Sequence, residues 1–193
     1  MSDLEIIEQL KQGNEQAFKK LVETHQKMVV NTCFGLLHNR EDAEDIAQDV
    51  FVEVYRSVAN FRADAKLSTW LYRIAVNRSL NHIRDNKKHR WLSVFESEDK
   101  AENKRLLQIE SSKSDQPGFE LENKQRAVIL HEAISSLPEN QKVAFTLNKY
   151  EELSYNEIAE VMELSVSSVE SLLFRAKKNL QKKLYKCYKK KCM

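Results

Sequence analysis

The chain has 193 residues, room for one large domain or two small ones, and a net charge of +2 that conceals strong segregation of acid and base along its length. Three Gly and two Pro among many Leu, Lys, Glu and Ala point to an all-helical protein. No apolar run approaches the roughly 20 residues of a membrane span, and Cys33, Cys187 and Cys192 form no disulfide framework and suit a reducing cytoplasm. The acidic opening MSDLEIIEQ has no signal-peptide pattern, so a soluble intracellular protein is expected.

Ser2 or Asp3 can cap a first helix over residues 4–12, with Leu4, Ile7 and Leu10 inward and Gly13 as its stop. Asn14 caps a longer helix whose apolar stripe runs from Ala17 and Phe18 through Leu21, Val29 and Cys33 to Leu36 and Leu37. His25 and Cys33 lie on or near this stripe and read as core, because neither has a partner at metal-ligand spacing.

The third helix, residues 41–58, buries Ala43, Ile46, Ala47, Val50, Phe51, Val54 and Val58. Its opposite face carries Glu41, Asp42, Glu44, Asp45, Gln48, Asp49 and Glu53. The helix dipole favours acid in the first turn but does not account for Asp49 and Glu53. Two functions fit this face. One is docking of a basic partner helix. The other is a metal site like that of helical nucleotide hydrolases, using Glu41, Glu44, Asp45 and Asp49, which needs an opposing acidic helix that the first half lacks. No Glu-x-x-His pair supports a di-iron bundle, and no cofactor is expected.

Residues 60–90 join a short polar loop, Phe61 to Ser68, to a helix with an apolar face of Trp70, Leu71, Ile74, Ala75 and Val76. Asn77, Asn81 and Arg84 share a second face at i, i+4 and i+7, with Arg73, Arg78, Lys87, Lys88 and Arg90 adding positive charge. Amides and arginines beside aromatics suit contact with a DNA strand, although an ordinary basic amphipathic helix has the same pattern.

Residues 93–123 are polar, acidic and broken by Pro117-Gly118, which reads as a flexible linker between two small helical domains. The second half resumes with a helix over 124–136 (Ala127, Val128, Leu130, His131 and Ile134 inward). Pro138 then leads into a helix over 139–150. Ser154 and Glu157 form a capping box for a short helix to Met162, and Ser165 can cap a last helix from Val166 to about Tyr185. Two helices joined by a tight turn, the second longer and basic, make a helix-turn-helix. After Glu170 no acid follows, while Arg175, Lys177, Lys178 and further lysines do, an electrostatic footprint for phosphate. Cys187-x4-Cys192 lacks a third metal ligand.

The stretches EDAEDIAQDVFVEVY, FRADAKLSTWLYRIAVNRSLNHIR, LPENQKVAFTLNKYEELSYNEIAEVMELS and SVSSVESLLFRAKKNL, in this order, resemble the extracytoplasmic-function (group IV) sigma factors of the sigma-70 family, over nearly the whole chain. The resemblance implies a dissociable, non-catalytic promoter-specificity subunit of bacterial RNA polymerase, acting in the cytoplasm. Residues 1–92 would form region 2, with Asp45, Gln48, Asp49 and Phe51 docking the clamp helices of the polymerase's largest subunit. Asn60, Phe61, Arg62, Lys66, Ser68, Trp70, Tyr72, Arg73, Asn77, Asn81, Arg84 and Lys88 would hold the unwound −10 strand, the loop capturing a flipped base. Residues 124–193 would form region 4, with Ser154, Ser165, Ser167, Ser168, Glu170, Ser171, Arg175 and Lys178 at the −35 duplex and the polymerase flap tip nearby. The linker would run near the RNA exit path. An anti-sigma factor, often membrane-bound in this family, is an expected partner.

The chain departs from the family at Glu170 and Leu172, where many members carry basic residues, and a Glu there can accept from cytosine N4. Two other readings stand beside this one. A helix-turn-helix regulator binding duplex DNA as a dimer explains the C-terminal half and leaves residues 60–90 without a role. The metal-dependent hydrolase explains only the acidic helix.

Overall fold

The computed structural model describes residues 2–61, 65–96 and 117–191, with side chains placed over 2–61, 65–88 and 126–187 and at Lys189. Among the described residues there are eight α-helices, one 3-10 turn and no strand, the all-helical class that the composition predicts. Helix α1 spans Asp3–Lys11 and starts on a capping box, in which the Ser2 hydroxyl accepts from Glu5 N and the Glu5 carboxylate accepts from Ser2 N. It buries Ile6, Ile7 and Leu10. Leu4, expected inward, is exposed, because the helix rests on its neighbours through the Ile6–Ile7–Leu10 edge, which i, i+3 spacing equally allows.

Gly13 takes φ +78° and ends that helix. Asn14 Oδ1 then accepts from Gln16 N and Ala17 N to open α2, Glu15–Leu37, which closes on His38 in the left-handed conformation. Asn39 caps α3, Arg40–Ser57, and a 3-10 turn over Val58–Asn60 follows. Helix α4 runs Leu67–Glu96, so Ser68 lies inside a helix and not in the preceding loop.

Beyond it stand α5 (Pro117–Ser135), α6 (Glu139–Lys149), α7 (Tyr155–Met162) and α8 (Val166–Lys191). Pro117, read as a breaker, is the first residue of α5, a position whose N–H needs no partner. Helix therefore extends into both ends of the expected 93–123 linker, over 93–96 and 117–123, and the rest of that linker lies outside the described residues. Leu130, expected inward, is 39% exposed.

One core fills the space among α1–α4 around Leu21, Val29, Val50, Val54 and Leu71. A small cluster joins α5 to α8 through Ile134, Leu137, Ala176 and Leu180. The third cluster was not foreseen. It takes Leu36 from α2 and Tyr72 and Val76 from α4, and packs them on Val143 and Leu147 of α6, Ile158 of α7 and Leu173 of α8. The two helical halves are therefore packed on each other.

Gly35 explains how closely. A Cβ there would lie 2.6 Å from Thr146 Cγ2, and the Thr146 hydroxyl donates to the Gly35 carbonyl oxygen at 3.2 Å. A glycine inside a helix is less favourable than alanine by about 1 kcal/mol. Here it lets α6 approach the backbone of α2.

Candidate nucleic-acid interface

Three of the four α3 residues that the resemblance assigns to polymerase docking lie at the surface. Asp45, Gln48 and Asp49 are exposed, whereas Phe51 is 6% exposed and belongs to the core, since its place on the helix faces α2. Phe51 still contributes to the wall of a groove of about 620 Å³ between α2 and α3, floored by Val22, Val30 and Ala47 and rimmed by Glu23, Lys27, Arg40, Glu44 and Gln48. Val52 and Tyr55 extend the same outer side of α3 and are about half exposed, and the Tyr55 ring meets Phe18 edge-on at 5.4 Å. Sequence reasoning passed over these two. Their signal is an apolar residue breaking a polar helical face.

The carboxylates suggested for metal chemistry have other surroundings. Of those four, Glu44 accepts from Arg40 at 2.9 Å, and the neighbouring Asp42, outside the set, lies 3.7 Å from His82. Among the described residues, no group of three or more His, Cys, Asp or Glu side chains could hold a metal ion.

Along α4, Arg73, Asn77, Arg84 and Lys88 fall on one line by helical spacing, with Asn81 beside it, and all but Arg73 are exposed. Asn60 and Lys66 are exposed at the entry to the helix, and Arg62 lies outside the described residues. Phe61 is 8% exposed and is pinned from two sides. Its ring lies 4.8 Å from that of the part-buried Trp70, tilted by 46°, and its carbonyl accepts from Lys11 Nζ at 2.9 Å. Trp70 therefore packs on Phe61 at the entry to α4. Ser68 is half-buried.

Tyr72 is buried and turned away from that line. Its hydroxyl donates to Glu151 Oε2 at 3.1 Å across the seam between the halves. Burial pushes the Glu151 carboxyl up to about 7 against the opposing hydrogen bond from Tyr72, and its Oε1 is buried without a hydrogen-bond partner. Burial, and then the Glu151 charge, hold the Tyr72 phenol above its ordinary range. Cys33, on the facing side of α2, is buried and its thiol is pushed up to about 11, which makes it unreactive.

In the C-terminal half the Ser154–Glu157 capping box forms as expected and opens α7. Glu163, in the left-handed conformation at φ 54°, turns the chain toward α8. The Ser165 hydroxyl accepts from Ser168 N at 3.3 Å and shares hydrogen bonds with the Ser167 and Ser168 hydroxyls. Val169, Leu173 and Ala176 bury the inner face of α8, leaving Ser167, Ser168, Glu170, Ser171, Arg175 and Lys178 exposed on the outer one. Phe174, 69% exposed between Glu170 and Lys178, is a third residue that sequence reasoning passed over.

A helical N-terminal module with an exposed amide-and-arginine face, followed by a capped helix-turn-helix ending in a long basic helix, defines a DNA-binding protein of the helix-turn-helix class. Residues 21–89 match the family Sigma-70 region 2, and residues 127–180 match Sigma-70, region 4. The RNA polymerase sigma-H factor of Pseudomonas aeruginosa is 33% identical over 94% of this chain and 93% of its own length. The ECF RNA polymerase sigma-E factor of Haemophilus influenzae is 35% identical over 95% and 96%. The structure of CnrH in complex with the cytosolic domain of CnrY shares the fold (22% identity, 94% of this chain and 96% of that one, TM-score 0.66). So does that of the sigma factor RpoE in complex with the anti-sigma factor NepR from Bartonella quintana (20% identity, 87% and 96%, TM-score 0.59). The chain belongs to the sigma-70 family, among its ECF members, and is an RNA polymerase initiation factor without catalytic activity of its own. No helix among the described residues is long and apolar enough to cross a membrane.

Proposed function

We propose that this sigma factor reads two promoter elements in two physical states. The N-terminal half, residues 1–92, holds the −10 element as an unwound strand along α4, with Asn77, Asn81, Arg84 and Lys88 presented to bases and phosphates. The loop before α4 receives a flipped base, and Trp70 stacks behind it on Phe61. The C-terminal half, residues 124–193, reads the −35 element as duplex through the outer face of α8, where Glu170 accepts from cytosine N4. Core polymerase docks on α3 through Asp45, Gln48 and Asp49, with Val52 and Tyr55 as the apolar part of the patch. Each DNA contact is weak alone, and the polymerase strengthens the pair by fixing their spacing. The factor works in the cytoplasm and is held silent by an anti-sigma factor, in keeping with the complexes in which two proteins of this fold were solved.

The observation that carries the reading is the exposed line Asn77–Asn81–Arg84–Lys88 on a helix whose apolar face, with Leu71 and Ala75, is packed into the core. A dimeric regulator has no use for it. Run-off transcription with core RNA polymerase on a genomic promoter library tests the proposal. Initiation at a defined set of promoters is expected, and initiation at none would refute it.

A further inference from the structure

Helix α8 continues well past the turns that a helix-turn-helix sets against base edges. Sequence periodicity ends it near Tyr185, whereas the structure carries it to Lys191, so Lys186 and Lys189 stand on the same helix as Arg175. At about 100° per residue, Arg175, Lys178, Lys182, Lys186 and Lys189 fall within an arc of roughly 80°. The arc lies opposite the inner line of Val169, Leu173, Ala176 and Leu180, and all its members are exposed. Among the described residues no carboxylate is paired with any of them.

Helix physics alone does not account for this arc. Cations in a last turn offset the helix dipole, which covers Lys189. Lys178–Lys182 and Lys182–Lys186 are like-charge pairs at i, i+4, and such pairs destabilise a helix. After Glu170 the chain has no acid to relieve them. Successive members rise by ~4.5–6 Å along the axis, a regular row of charge that a regular polyanion would turn from repulsion into attraction.

We propose that α8 is two devices in series: its first turns read the −35 bases, and its second half is a rail for the phosphate backbone flanking them, held by Lys182, Lys186 and Lys189. Tyr185, exposed on the edge of the same arc, adds a hydroxyl that can donate to that backbone. The inference rests on the proposed reading of the −35 duplex and adds to it a contact blind to sequence.

Duplex DNA is the polyanion favoured, because the rail continues the line of Ser171 and Arg175 without a break. A membrane surface suits it poorly. Leu180 and Leu184 are packed with Ile134 and Leu137 of α5, so the helix keeps no apolar stripe to enter a bilayer. The same packing, with Lys183 Nζ donating to the Glu132 carbonyl oxygen at 3.4 Å, ties the rail to the body of the C-terminal half.

Full-length wild type and a Lys182→Gln, Lys186→Gln, Lys189→Gln triple variant would each be bound to core RNA polymerase and titrated with promoter fragments over a series of KCl concentrations. Glutamine nearly matches lysine in helix propensity. The slope of log affinity against log salt is expected to fall by about 3 in the variant, with binding weakened roughly tenfold or more at about 0.1 M salt. The loss should be equal on fragments with intact and scrambled −35 sequences, and the corresponding Lys→Arg triple variant should restore wild-type behaviour. An unchanged slope overturns the proposal. A loss confined to the intact −35 sequence also overturns it, because the lysines would then read bases. Vesicles of phosphatidylglycerol and phosphatidylcholine serve as a second probe: binding lost in the triple variant while its promoter slope stays at the wild-type value would assign the cations to a membrane and refute the rail. Run-off transcription keeps the two readings apart, since a wild-type chain that initiates normally beside an unmoved slope removes the rail alone.

Discussion

Two buried groups at the seam titrate in opposite senses, and their balance predicts an unusual pH dependence of stability. His38 is 5% exposed, with its ring against His131 and Lys142 nearby. Burial, then His131 and Lys142, lower its pKa from 6.5 to about 4. The fold keeps it neutral, so its contribution is complete above 6.5 and is lost as pH falls toward 4. Glu151 is raised from 4.5 to about 7, so its contribution is complete below 4.5 and is lost as pH rises toward 7. At 1.36 kcal/mol per pH unit, each full span is worth about 3 kcal/mol.

Between about pH 4.5 and 6.5 the two slopes cancel. Glu151→Gln keeps an acceptor for the Tyr72 hydroxyl and removes one slope. Urea unfolding of this variant and of wild type across that range gives a difference curve free of the other titrating groups. The variant's advantage is expected to grow with pH by about 1.4 kcal/mol per unit, reaching about 3 kcal/mol at pH 7. His38→Gln should show the mirror image, an advantage that grows as pH falls. A flat difference curve for Glu151→Gln would mean that its carboxyl titrates alike in both states, and the burial argument would fail.

Other substitutions test other parts of the structure. Ser154→Ala removes the capping box of α7 and should lower stability by about 1 kcal/mol in thermal melts followed by circular dichroism. Leu147→Ala empties a fully buried position in the shared cluster and should lower unfolding stability by about 2–5 kcal/mol, whereas a loss under 1 kcal/mol would mean that the seam is loosely packed. Asp49→Lys reverses an exposed charge, and pull-down with core polymerase should show its binding lost while the melting temperature is unchanged. Glu170→Arg should change the −35 sequences selected from a randomised promoter pool; an unaltered preference would show that Glu170 reads no base.

The amino-acid sequence alone determined the parts of this protein that depend on neighbours three or four residues apart. The Ser154–Glu157 box, the Asn14 cap, the burial of Val169, Leu173 and Ala176, and the exposed line from Asn77 to Lys88 are all set by helical periodicity and local hydrogen bonding. Periodicity states which face of a helix is apolar but not which partner covers it. Leu36, grouped by spacing with the stripe of α2, turned out to face Val143 and Leu147, more than a hundred residues further along the chain. Phe51 falls on the apolar face by spacing although the resemblance assigns it to docking, and Tyr72 looks like a surface contact in sequence, because aromatic residues serve cores and interfaces equally well; packing buries both. The role of Gly35 was invisible for the same reason, since a helix breaker has meaning only once Thr146 is beside it. The engagement of Arg73 and Arg84 by oxygens of the other half likewise belongs to the tertiary structure, because long charged side chains pair with whatever the fold brings within reach.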